Sequence, residues 1–81
     1  MIFRQLFEPD TSTYSYLLGC QKTGRAVLID PVLSEVEGYI TLLADLNLSL
    51  VYTMETHVHA DHVTGSGLLR DRVGSKSVVY R

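Results

Sequence analysis

An α/β (α+β) fold, with elements in the order β-β-β-α-β-loop-α-β, is the class this sequence predicts. Three observations carry it. Short apolar runs of β-preferring residues recur between turn clusters. Residues 36–44 place their apolar side chains at helical spacing instead. Strand, helix and strand then alternate, which favours a sheet with some parallel pairing and right-handed crossovers.

Each element has a local reason. Met1 to Phe7 is an apolar-rich run that stops at the turn cluster Glu8-Pro9-Asp10-Thr11-Ser12. Thr13 to Leu18 is rich in aromatic and β-preferring residues and ends at Gly19, before the turn Gln21-Lys22-Thr23-Gly24. Arg25 to Ile29 follows as a strand. Its core, Ala26-Val27-Leu28-Ile29, is apolar without alternation and is expected to be buried on both faces. Asp30-Pro31 stops it. Ser34, with Glu37 three residues on, fits a capping box. Val36, Tyr39, Ile40, Leu43 and Ala44 then share one helix face, and Asn47 suits a left-handed stop. Leu48 to Met54 returns to strand. Gly65 and Gly67 open a short helix carrying Leu68, Leu69 and Val73, Gly74 ends it, and Ser77 to Tyr80 begins another strand. Two helices on one sheet face leave the other face bare. A bare apolar face is unusual for a soluble monomer, so more chain or a second copy is expected to cover it.

Composition narrows the function. The 81 residues hold 7 basic and 9 acidic side chains, a net charge of −2, which argues against nucleic acid as a partner. Hydrophobic content of 46% and charged content of 20% mark a globular chain. No apolar run is long enough to cross a membrane, and no signal peptide is read at the N-terminus. Cys20 is the one cysteine, so no internal disulfide forms, which fits a reducing compartment such as the cytoplasm. Paired with a histidine it would make a nucleophile, but its neighbourhood offers no cation except Lys22, and a small partly buried residue is the better reading. Arg70, Arg72, Lys76 and Arg81 gather near the end. They could meet carboxylates of a small thiol, but Asp71 interrupts them and a solvated face explains them.

All three histidines fall in His57-Val58-His59-Ala60-Asp61-His62. At ordinary His and Asp usage the pattern arises by chance at about 10⁻⁵ to 10⁻⁴ in such a chain, so it is a signal. In extended backbone His57 and His59 point the same way and can serve one centre. As the chain turns into the loop, Asp61 and His62 suit a neighbouring one. Imidazoles with a carboxylate and no thiolate suit Zn2+ or Fe2+, not Ca2+, Mg2+ or a cysteine-type structural zinc.

Thr56-His57-Val58-His59-Ala60-Asp61-His62 resembles the T-H-x-H-x-D-H signature of the metallo-β-lactamase superfamily. Together with Phe3 to Glu8, Thr13 to Gly19, Ala26 to Val32 and His59 to Leu69, it is similar to the persulfide dioxygenases (sulfur dioxygenases). The resemblance spans nearly the whole chain but covers only the N-terminal portion of that family's catalytic domain. It implies that residues 1–81 are a single partial domain, the first half of an αββα sandwich whose second half covers the bare face. It implies one mononuclear Fe2+ with two histidines and one carboxylate, and oxidation of glutathione persulfide by O2 to sulfite and glutathione. On this resemblance His57 is an iron ligand and His59 lies beside the iron. Asp61 and His62 occupy the second-metal positions of the two-zinc hydrolases and would orient the site here. Asp30 matches an aspartate near the site, although capping a turn explains it equally. A later histidine and aspartate would lie beyond Arg81, so the isolated chain is expected to be inactive.

Two other readings stand beside this one. A two-zinc thioester hydrolase resembling glyoxalase II would use His57 and His59 for one Zn2+ and Asp61 and His62 for the other, with a bridging water as nucleophile. A non-catalytic module would self-associate into a homo-oligomer, or pair with another chain, through the exposed sheet face.

Overall fold

The computed structural model describes residues 1–56 and 66–79. Five strands form one sheet in the order β1-β2-β3-β4-β5: Ile2–Glu8, Thr13–Cys20, Arg25–Ile29, Ser49–Glu55 and Lys76–Val79. The first three are joined by tight turns and pair antiparallel. β3–β4 and β4–β5 are parallel, each crossing over through a helix, α1 (Val36–Asp45) and α2 (Ser66–Val73). Two successive crossovers of one hand put both helices on the same face. One core, shared by Leu17, Ala26, Leu28, Val36, Tyr39, Leu43, Leu48, Leu50 and Leu69, lies between sheet and helices. The predicted order of strands and helices is the observed one; the loop expected between β4 and α2 lies outside the described residues.

The register explains which side chains are buried. Directly opposed residues share a face, so Leu17, Leu28 and their neighbours point at the helices. Gly19 faces the same way because a Cβ there would stand 2.5 Å from Leu48 Cδ1. In β4 the period breaks: Ala26 pairs with Leu50 but Val27 with Tyr52, leaving Val51 as an extra residue. This bulge brings both Leu50 and Thr53 to the buried face.

The other face carries no covering element among the described residues. Phe3, Phe7 and Tyr14 are each about half exposed, at 50%, 52% and 50%, and Tyr52 is exposed beside them. Phe3 stacks on Tyr16 at 5.9 Å, and Phe7 meets Tyr14 at 4.8 Å. Val27 and Ile29, expected to be buried on both faces of β3, are only half-buried, because none of the described residues lies over that side.

The helix ends differ in how well local pattern describes them. The expected Ser34 and Glu37 capping box does not form. Leu33–Glu35 is a single 3₁₀ turn, and no side chain caps α1. Its entry is fixed from farther away: the Val32 N–H donates to the Tyr39 hydroxyl at 2.9 Å, one turn into the helix. The exit follows the expectation. Asn47 takes φ 58, its N–H reaches the Ala44 carbonyl at 3.1 Å, and the Leu48 N–H reaches Leu43 at 2.9 Å. This is a Schellman close, with Leu43 and Leu48 in apolar contact beneath it. Gly74 ends α2 at φ 75, a conformation that costs glycine little.

Candidate functional site

Antiparallel pairing brings the β1–β2 turn to the same sheet edge as the carboxyl ends of the parallel strands β3 and β4. In sheets of this kind ligands bind at that edge. Asp30 follows β3 there and Thr56 follows β4. His57, His59, Asp61 and His62 come directly after, and lie outside the described residues.

Asp30 is built into this edge. Its backbone sits at φ 54, a left-handed conformation that aspartate tolerates better than most residues. Its N–H donates to the Met54 carbonyl at 2.7 Å, which continues the parallel ladder by one rung. The turned backbone aims the carboxylate at the end of β4. Oδ1 accepts the Thr56 N–H at 2.7 Å, and Oδ2 accepts the Thr56 hydroxyl. Asp30 therefore does more than cap a turn: across 26 residues of chain it holds the residue that precedes His57.

A buried relay supports Asp30 from behind. The Ser15 hydroxyl donates to the Asp30 carbonyl at 2.6 Å. Its proton thus committed, Ser15 Oγ accepts from the Tyr39 hydroxyl, 3.3 Å away. Tyr39 in turn accepts the Val32 N–H. One tyrosine on α1 thereby ties together β2, the segment after β3 and the entry to its own helix.

Glu55, the last residue of β4, is the feature that sequence reasoning missed. It is 5% exposed. Ser66, the first residue of α2, donates its hydroxyl to Oε1, whereas Oε2 is buried with no hydrogen-bond partner among the described residues. Strand patterning gave no warning, because the bulge upstream shifts Glu55 onto the helix side. The signal available was a carboxylate two residues before a histidine cluster.

At the same edge Glu8 caps the β1–β2 turn. It accepts from the Thr11 N–H at 2.6 Å, the Thr11 hydroxyl at 2.7 Å and the Asp10 N–H at 3.1 Å. The Thr11 hydroxyl, above all, holds the Glu8 carboxyl below its ordinary range. Cys20 is elsewhere. It pairs with Arg25 at the start of β3, four residues along β2 from the Tyr16–Ile29 pair, about 13 Å from the site edge. Hydrogen bonds from Thr23 and the Lys22 N–H lower its thiol pKa, and the thiol stands at the opposite end of β2 from this edge. Of the basic cluster, Arg72 pairs with Glu37 across the two helices, and Arg70 stands 3.9 Å from Asp71 in solvent. They form a solvated helix face. Arg81 lies outside the described residues.

Comparison with known proteins agrees with this geometry. The metallo-beta-lactamase superfamily model matches residues 9–81. A bovine (Bos taurus) protein named persulfide dioxygenase ETHE1, mitochondrial, is 50% identical over 82 residues, covering 100% of this chain and 32% of the relative. A hydroxyacylglutathione hydrolase from Pelagibacter ubique is 38% identical over 68 residues, covering 84% of this chain and 28% of that one. Among solved structures, the crystal structure of ETHE1 from Myxococcus xanthus superposes with a TM-score of 0.89 at 52% identity, over 95% of this chain and 34% of that one. The chain spans about a third of the length of the persulfide dioxygenases it matches. Among the described residues no helix is long and apolar enough to cross a membrane.

Proposed function

Because this chain belongs to the metallo-β-lactamase superfamily, whose members carry a metal, we propose that it is the N-terminal part of the catalytic domain of an iron-dependent persulfide dioxygenase. The observation that carries this reading is 50% identity to a persulfide dioxygenase over the whole chain, with the histidine motif directly after β4. The reaction is the oxidation of glutathione persulfide by O2. With one water it yields glutathione, sulfite and two protons, the outer sulfur gaining three oxygens and the S–S bond breaking.

The residues present fit a metal. Three imidazoles and one carboxylate are a donor set for Fe2+ or Zn2+. Among the described residues the buried Glu55 Oε2 has no hydrogen-bond partner, and such an orphaned carboxylate oxygen is one that a cation would satisfy. His57 is the residue we assign to the iron, with His59, Asp61 and His62 around it. When bound, a single Fe2+ with open positions supplies the redox centre for O2 and the persulfide. The chain's own part is positional. Asp30 fixes Thr56 by two hydrogen bonds, so the motif leaves β4 from a held residue. Ser15 and Tyr39 hold Asp30 in turn, so the clamp is anchored in the core. Such supporting shells keep ligands within the narrow tolerance that catalysis needs.

The single cysteine favours a reducing compartment, the cytoplasm in this reading; the bovine relative's name assigns that protein to the mitochondrion. A second reading, a two-zinc thioester hydrolase, is favoured by the identity to the Pelagibacter hydrolase. Anaerobic Fe2+ loading of the complete gene product that carries this chain, followed by oxygen uptake with glutathione persulfide, tests the first. We expect about one iron per chain and uptake dependent on it. Uptake no greater than in an iron-free control refutes it, and about two zincs with thioester hydrolysis establishes the second.

A further inference from the structure

β1 is paired on one side only. β2 takes one edge of it, and among the described residues no strand takes the other. A seven-residue strand so placed leaves half of its backbone N–H and C=O groups open to another chain. Ile2, Arg4, Leu6 and Glu8 are its helix-side residues, because Ile2 and Leu6 pack on the core and side chains alternate. Beside this edge, between β1 and α1, lies a groove of about 350 Å3. Leu6, Tyr39 and Leu42 supply its apolar lining, and Glu8 and Glu35 its acid. Gly38 on α1 adds no side chain to fill it. Neither acid has an ion-pair partner among the described residues, whose ion pairs are Arg70–Asp71 and Arg72–Glu37.

The cation that fits this groove is on the same strand. Arg4 is exposed, makes no ion pair among the described residues, and donates to the neighbouring Phe3 carbonyl at 3.3 Å. Antiparallel pairing of two copies of β1, with Leu6 facing Leu6, sets Arg4 of each copy opposite Glu8 of the other. We propose that two copies of this chain join edge to edge through β1, each placing Arg4 in the other's β1–α1 groove. A two-fold axis makes each contact twice, so one strand supplies both the cation and the acid. Directly opposed side chains stand about 4.5–5.5 Å apart at Cβ, within reach of a guanidinium–carboxylate pair. The two Leu6 side chains meet at the axis, and two five-stranded sheets become one. The aromatic sheet face takes no part in this contact.

The test is sedimentation of the complete gene product that carries this chain, over a micromolar concentration series. The wild type is expected to be a dimer at the upper end. Arg4→Glu sets like charge against Glu8 and Glu35 and is expected to weaken the dimer by about 100-fold or more. Gly38→Leu fills the groove from the helix. A Cβ there meets only Glu35 Oε2, 3.7 Å away, and leucine forms helix better than glycine. This variant is therefore expected to weaken the dimer while its melting midpoint, measured in dilute solution, stays level or rises. Leu6→Cys is expected to link its own copies by a disulfide, identified by peptide mass spectrometry, and Gln5→Cys is not. A monomeric wild type overturns the inference. So does a dimer that Arg4→Glu and Gly38→Leu leave intact, because another surface then joins the copies. Linkage through Gln5→Cys in place of Leu6→Cys overturns the register that pairs Arg4 with Glu8.

Discussion

Replacing Asp30 separates what its backbone does from what its side chain does. The side chain accepts the Thr56 N–H at 2.7 Å and the Thr56 hydroxyl. Hydrogen bonds to a charged group contribute about 1.5–3 kcal/mol when buried, but Thr56 is exposed and water substitutes in part, so about 2 kcal/mol for the pair is the working figure. The backbone sits at φ 54, where a β-carbon costs about 1–2 kcal/mol relative to glycine. Asp30→Ala loses both bonds and keeps the unfavourable backbone, giving a loss of about 2–3 kcal/mol. Asp30→Gly loses the same bonds but relieves the backbone, giving a loss of about 1 kcal/mol. Asp30→Asn keeps one acceptor and tolerates the conformation, and falls near Gly. Urea unfolding of the chelator-treated proteins measures the order, with equal slopes required for the comparison. Metal affinity by competition then reads the clamp. Ala and Gly should lose it equally, since both release Thr56, despite their different stabilities. If Ala is as stable as Gly, the backbone account is wrong. If either binds metal like the wild type, Asp30 does not govern the motif.

Other consequences are simpler to measure. Tyr39→Phe leaves the buried Val32 N–H without its acceptor and should cost about 1–3 kcal/mol in urea unfolding, while a loss under about 0.5 kcal/mol would show that the relay carries no stability. Glu8 and Glu37 are both held below the ordinary carboxyl value of 4.5, chiefly by hydrogen bonds from Thr11 and Arg72 respectively. A lowered folded-state pKa gives stability that is present above the unfolded value and lost as pH falls through the folded one, so the urea midpoint should drop on going from pH 6 down through 4.5 and below. Glu8→Gln and Glu37→Gln should each flatten that drop, and added salt should flatten the Glu37 contribution most because its partner is a charged arginine and the pair is exposed to solvent.

What the sequence determined by itself was local and periodic. β3 was legible to the residue, because Gly24 before it and Asp30-Pro31 after it are strong punctuation. The close of α1 at Asn47 was legible because a left-handed residue there needs no partner beyond its own last turn. The bare sheet face followed from counting two helices against one sheet. For His57, His59, Asp61 and His62, residue types and spacing give the expectation of a metal-binding donor set, and all four lie outside the described residues. What only tertiary structure decided was each contact that joins distant segments. The capping box at Ser34 failed because the chain leaving Pro31 is held by a hydroxyl one turn into the helix. Glu55 became buried because a bulge at Val51 shifted the strand's period, and register is set by pairing with β3, not by β4 alone. Asp30 was visible as a residue, but its grip on Thr56 depends on a parallel pairing that a crossover helix imposes. Periodicity reports which face a residue prefers; the partner waiting on that face is supplied by chain 11 to 26 residues away.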